Sequence, residues 1–475
     1  MQGTLAKYIR LSSRPSTPQI NLSLGTKPIE RIHVMNQINH QKVLAIALPM
    51  TIASVSIPLL GLVDTAILGH LELAHYLGAV AAGSSVLTML FWLFSFLRMG
   101  NTGLTARARG AGDHNRCREL LAQSLVLAML LGSALVLFQQ PLLTVILNLI
   151  KPSTEVKLLA AEYCQIRILA APATFGTLCA MGWLLGLQRA KATLLLMLFT
   201  NVVNISLDFV FIVGLKMNSA GAAWASFYAE LLGFALAMGL IATSLSEMPG
   251  AINWRHLCQW HRYREFLQVN QHLFVRTACL VFTMVFFTAQ GARQGDNFLA
   301  ANAILMQLLL LVAYTQDGFA HAAESLAGHA IGTNNLDHFY QVCAEVTLWG
   351  LGISCIATIA YLLFPASIIA IFTDLPDVSS TAREYWPWLI SLPLAGVICF
   401  MADGIFIGSG KTRAMQDTMI LATFGLFLPI WYLSKPLGNH GLWMSYLIFL
   451  CGRSTLMLGM FAFYSRRTSW LKNKA

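Results

Sequence analysis

The stretch Gly186–Met197, GLQRAKATLLLM, returns at Gly408–Met419 as GSGKTRAMQDTM. Each copy is a turn of small residues, a pair of basic residues and the start of a new apolar run. Two more pairs keep the same order: ARGAGDHN from Ala108 against GHAIGTNN from Gly328, and NSAGAAWAS from Asn218 against GNHGLWMSY from Gly438. The chain is therefore two copies of one plan. What that plan is follows from the runs between the turns.

Of the 475 residues, 56% are hydrophobic and 11% charged, where a soluble domain carries about 25% charged residues. Too few charges remain to cover a water-facing surface of this size. A membrane helix needs about 20 mostly apolar residues, and the chain offers such runs at 42–66, 76–101, 119–142, 158–180, 184–214, 219–245, 266–290, 298–323, 339–364, 384–407, 415–434 and 440–464. Six fall in each copy, so both copies cross in the same sense, as parallel repeats about an axis along the membrane normal. The predicted fold is an all-α integral membrane protein of twelve transmembrane helices in two pseudo-symmetric six-helix lobes. The expected division is a polar tail over 1–40, lobes over 41–245 and 264–465, a connector over 246–263 and a basic tail over 466–475.

The net charge of +10 does not imply nucleic acid, because the basic residues sit in loops and tails. With the N-terminus inside, the inner loops hold eleven Lys and Arg between Arg107 and Arg413, and the outer loops six between Lys151 and Lys435. The positive-inside rule then predicts both termini cytoplasmic; the membrane expected is a bacterial inner one, with an organellar one as the alternative. Residues 1–40 are polar and contain no apolar run of the kind a secretory signal needs; they read as a disordered tail, or as an over-long start with Met35 as initiator. The nine cysteines are scattered, with no CxxC pair, and read as small hydrophobes rather than disulfides or a zinc site.

GSGKT at Gly408–Thr412 resembles the end of a phosphate-binding loop. The full pattern needs Gly at 405, where Ile405 stands, and a preceding strand. Nucleotide binding is not expected, nor is any other cofactor. No serine–histidine, HExxH or paired-aspartate signature marks an intramembrane enzyme.

Ionisable residues at membrane depth are rare and usually face a cavity or a partner. Asp64, in PLLGLVDTAILGHL (Pro58–Leu71), is the first. Holding a carboxylate ionised near the bilayer centre costs about 2.5–3.5 kcal/mol, so such a group is poised to take a proton or a cation. Pro49, earlier on the same run, removes a backbone hydrogen bond and can bend the helix. In TNVVNISLDFVF, Asn201, Asn204 and Asp208 share one helix face, a hydrated pocket wall to which Ser226 can add a hydroxyl. The second copy offers Asp317 and Glu324, seven apart on one face of AYTQDGFAHAAES, and Asp403 in MADGIFIG, as cavity-lining candidates. Arg276 is a candidate charge partner for one of these acids, and His321 is a candidate to face the same space, the alternative being a solvated or hydrogen-bonded histidine. The embedded charges read as mostly acidic, which disfavours a flippase for lipid-linked phosphates.

PLLGLVDTAILGHL, FLRMGNTGLTARARG, GWLLGLQRA, NISLD, AYTQDGFAHAAE and DGIFIG, in register from about 41 to 464, together resemble the multidrug and toxic compound extrusion (MATE) transporters and, within them, the branch named for the DNA-damage-inducible protein F. The resemblance implies a central cleft facing the two sides alternately, and export of hydrophobic, often cationic compounds in exchange for protons or, in some branches, sodium. It makes Asp64 the first-helix protonation site, Pro49 the proline of the bending helix, and Asn204 and Asp208 the polar pair on the fifth helix, with Ser226 where relatives carry threonine. Where some relatives have a tyrosine one turn before the aspartate, this chain has Leu60, and no fourth-helix asparagine is found. The expectation is a monomeric proton-coupled antiporter for small organic cations and amphiphiles, with no metal unless Na⁺ uses Asp64 and Asp208.

Overall fold

A computed structural model describes residues 28–69, 74–150, 154–251, 259–467 and 469–471, whose regular structure is entirely helical. The first half holds α1 (Pro28–Gly69), α2 (Ala74–Leu93), α3 (Phe96–Gly110), α4 (His114–Leu137), α5 (Gln139–Ile150), α6 (Thr154–Ile168), α7 (Ala171–Gly186), α8 (Ala190–Asp208) and α9 (Asn218–Ser246). The second holds α10 (Trp260–Ala292), α11 (Asp296–Gly332), α12 (Leu336–Leu363), α13 (Pro365–Phe372), α14 (Pro376–Ser409), α15 (Thr412–Ile420), α16 (Leu428–Ser434) and α17 (Asn439–Arg466).

Eleven stretches among the described residues are long and apolar enough to cross a membrane, and the bent pair α6–α7 completes twelve. That pair corrects the expectation of an unbroken fourth run over 158–180: the axis turns by 52° between Ile168 and Ala171. The cause is Pro172 in the first turn of α7, which has no N–H to give and whose ring clashes with the carbonyl four residues back. Gly132 of α4 packs on the Pro172 backbone so closely that a Cβ would overlap it.

The halves match beyond their spans. A short helix, α5 or α13, follows the third span of each, and the fifth span of each contains a π-helical turn, Phe209–Gly214 or Leu421–Phe427. Such turns break the regular hydrogen-bond ladder and are frequent at functional sites. The first π turn begins directly after Asp208. α1 already starts at Pro28, within the segment read as a polar tail. The other tail also differs from its reading: Trp470 is 1% exposed, packed among Phe339, Phe406, Phe461 and Tyr464.

One apolar core joins the halves at the end that carries the basic loops, running from Val43, Ala47 and Met50 of α1 through Leu104 and Trp183 to Phe319, Leu326 and Phe406. At the far end the core divides. One cluster there comes from the second half alone, with Phe287, Trp386 and Trp443, and another comes from Leu147 and Ala160 of the first. Small residues make the shared end tight. A Cβ on Gly110 would meet the His329 carbonyl, and one on Gly332 would meet that of Arg107. Across the same seam Ser325 Oγ donates to the Leu185 carbonyl at 2.7 Å, and Thr51 Oγ1 to that of Thr315 at 3.3 Å.

Candidate functional site

Above this closed end lies a cavity of ≈ 380 Å³ between the halves, within the usual range of about 300–1,000 Å³ for small-molecule sites. Met50 and Ile57 of α1, Met181 of α7, Met197 of α8, Met284 of α10, Met306 and Leu309 of α11 and Phe400 of α14 give it an apolar lining. Methionine suits a surface that must fit more than one shape, because its side chain is flexible and polarisable.

Into this lining project Arg98, Glu230, Arg276, Asp317, His321, Glu324, Asp403 and Arg453. Arg98, on α3, reaches across the seam: its Nη1 lies 3.2 Å from Glu324 Oε2 and 3.3 Å from His321 Nδ1, both on α11. His321 Nδ1 is 3.6 Å from the other carboxylate oxygen of Glu324. All three are buried, so this is a desolvated pair that depends on its partner being present. Higher on the second-half wall, Arg276 of α10 and Arg453 of α17 both donate to Asp403 Oδ2, Arg453 at 2.8 Å. Arg453 also sits over the Phe449 ring, 5.7 Å from its centroid. Asp317 is on the same wall, within the field of Arg98 and Arg276.

The first-half polar residues divide into two contacts. Asn204 Nδ2 donates to Ser226 Oγ at 3.1 Å, joining α8 to α9. Asn201, one turn earlier, lines the cavity and donates to Ser56 Oγ of α1 at 2.9 Å. Asp208, 1% exposed, ends α8 on that face. Asp64 falls on the outer part of α1, and its side chain lies outside the described residues. α1 is helical through both Pro49 and Pro58.

The sequence reading brought out the acids and one arginine; Arg98 and Arg453 were missed, as was Glu230. Their signal was present, since an arginine in FWLFSFLRMG or FLCGRSTLML is as foreign to an apolar run as an aspartate. The wall is thus not mostly acidic. Three arginines stand among four carboxylates.

The MatE family model matches residues 49–210 and again 273–433, the two halves found above. The chain is 36% identical over 431 residues to DNA damage-inducible protein F of Escherichia coli (strain K12), covering 90% of this chain and 92% of the relative. It is 25% identical to the chloroplastic protein DETOXIFICATION 44 of Arabidopsis thaliana, over 90% of this chain and 83% of that one. Among solved structures it resembles a multidrug resistance MATE family transporter of the MOP superfamily in its outward-facing conformation, with a TM-score of 0.81, 20% identity and coverage of 92% and 97%, a likeness of fold. With both halves matched in order and a relative above one-third identity along nearly the whole length, this chain belongs to the MatE family of multidrug efflux transporters.

Proposed function

We propose that the protein exports hydrophobic, cationic organic compounds from a bacterial cytoplasm by proton-coupled antiport, with the basic loops and both termini inside. The observation that carries the reading is the cavity itself: an apolar, methionine-rich chamber with four carboxylates and three arginines on its walls, sealed at the basic-loop end by packing both halves share. In this orientation the seal is cytoplasmic and the chamber faces outward. Asp64 and Asp208 exchange the proton, Asn204 and Ser226 set the hydrogen bonding around Asp208, Asn201 ties that helix to α1, and α1 bends near Pro49 as the first-half cavity contracts.

A carboxylate in an apolar surround is stable when protonated or when paired with a cation, and poorly stable otherwise. Proton and cationic substrate therefore compete for it, which is the coupling an antiporter requires. One proton for one monovalent cation moves no net charge; two would also draw on the membrane potential, about 2.3 kcal/mol per charge per 100 mV.

The test is efflux of ethidium from proteoliposomes under an imposed pH gradient, with and without sodium. Acceleration by the pH gradient in sodium-free buffer supports the proposal. Transport that ignores pH and follows a sodium gradient would replace the proton with Na⁺, and no transport under either gradient would end the efflux reading.

A further inference from the structure

On the second-half wall two arginines share one carboxylate, while Asp317, a further carboxylate of that wall, stays outside the pairing. Arg276 and Arg453 converge on one oxygen of one carboxylate, Asp403 Oδ2, so the group of three keeps a net charge of one guanidinium. Arg276, 7% exposed, has a buried Nε–H with no hydrogen-bond partner among the described residues. Arg453 is engaged on its other face by the Phe449 ring; Arg276 lines the cavity, and its one hydrogen bond among the described residues runs from Nη2 to Asp403. A guanidinium presents five donors in a planar fork matched to carboxylate and phosphate oxygens, and a buried donor left unmade is costly. On the same wall Asp317 faces the cavity and makes no ion pair within 4.0 Å among the described residues.

We propose that Arg276, held by Asp403 beside Arg453, is a receptor for an oxyanion on the substrate, and that with Asp317 it fits this wall to zwitterionic amphiphiles. Asp317 takes the cationic end, Arg276 takes the carboxylate, and the methionine and leucine lining takes the apolar body. The inference rests on the export reading for the nature of the cargo and adds that an acidic group on the cargo is recognised rather than merely tolerated.

The test uses two dyes that differ only at that group: rhodamine 123, a cationic methyl ester, and rhodamine 110, the corresponding free acid. Binding of each to the detergent-solubilised full chain is followed by fluorescence anisotropy, and the ratio of the two affinities is read within each variant, so that a shared loss cancels. Arg276→Gln should lower the acid-to-ester ratio by about tenfold or more. Asp403→Asn, which frees both guanidinium groups, should raise it. An unchanged ratio in both variants overturns the proposal, as does wild-type protein that binds the ester and not the acid, a result that leaves the export reading standing. Binding of neither dye overturns the proposal, and the ethidium efflux test decides the export reading separately. Thermal stabilisation of the wild type, but not of Arg276→Gln, by sodium phosphate alone, with no dependence of the dye ratio on Arg276, would make the group a holder of free anions and overturn its assignment to the substrate.

Discussion

Arg98 of the first half and Glu324 of the second meet 3.2 Å apart at the floor of the cavity, about 12 Å along α11 from the glycine seam at Gly332. The pair sits where the cavity ends and the closed packing begins, so a motion that separates the halves at the basic-loop end must part it. Removing one member of a buried pair strands the other and costs about 3–5 kcal/mol. Arg98→Gln and Glu324→Gln should each lower the thermal unfolding midpoint in detergent and favour the state open at that end. The double variant should recover part of the loss, because it leaves no uncompensated charge. Strictly additive midpoints would show that the two side chains are not coupled.

The seam itself admits no side chain. Gly332→Val would push into the Arg107 carbonyl, and the packing relieves this most easily by separating the halves at that end. A cysteine placed at Ser325, buried in the closed state, should then react faster with a membrane-impermeant maleimide added from the basic-loop side. Equal rates in the two backgrounds would mean that the seam is not the gate.

Within the first half, the hydroxyl at 226 receives a buried amide. Ser226→Ala leaves Asn204 Nδ2 without its acceptor, a loss of about 1–3 kcal/mol. Ser226→Thr keeps the oxygen. Stability in detergent and pH-driven efflux should fall in the alanine variant and stay near wild type in the threonine variant; matching results for the two would exclude the hydrogen bond as the reason.

Much of this architecture was legible in the chain, and the reasons are specific. Twelve apolar runs and the repeated turn after Gly186 and Gly408 fix the spans and their parallel relation, because a bilayer leaves the backbone few alternatives to a helix. Pro172 lies inside an apolar run, and its effect depended on whether neighbouring helices would re-satisfy the freed backbone; the chain bends there. The hydroxyl of Ser226 was a candidate for the Asn204 face, and Arg276 a candidate partner for one of three acids; the fold joins Asn204 to Ser226 and Arg276 to Asp403. Arg98 was not singled out from the sequence. Its partners lie more than two hundred positions away in the other half, so only the packing of α3 on α11 gives its charge a meaning. Trp470 was hidden for a different reason: four residues from the end of a basic stretch, its composition says solvent, and a single aromatic decides otherwise.

That aromatic gives a further prediction. Trp470 fills a pocket formed by α12, α14 and α17, and its indole N–H donates to Ser465 Oγ at 3.0 Å. Trp470→Ala should cost about 3–5 kcal/mol as a large buried side chain replaced by a cavity, lowering the detergent melting midpoint, whereas Trp470→Phe should lose much less. A wild-type midpoint in the alanine variant would show that the tail contributes nothing to the fold.

Central to the account is a proton-exchanging carboxylate in the first half, and the most direct test separates coupling from transport. In proteoliposomes, Asp64→Asn should still exchange ethidium for ethidium across the membrane, since that cycle needs the cavity and the gates but no net proton movement. The same variant should not accumulate ethidium against its gradient when a pH gradient is imposed. Accumulation at the wild-type rate would contradict the account, because the driving proton would then enter elsewhere.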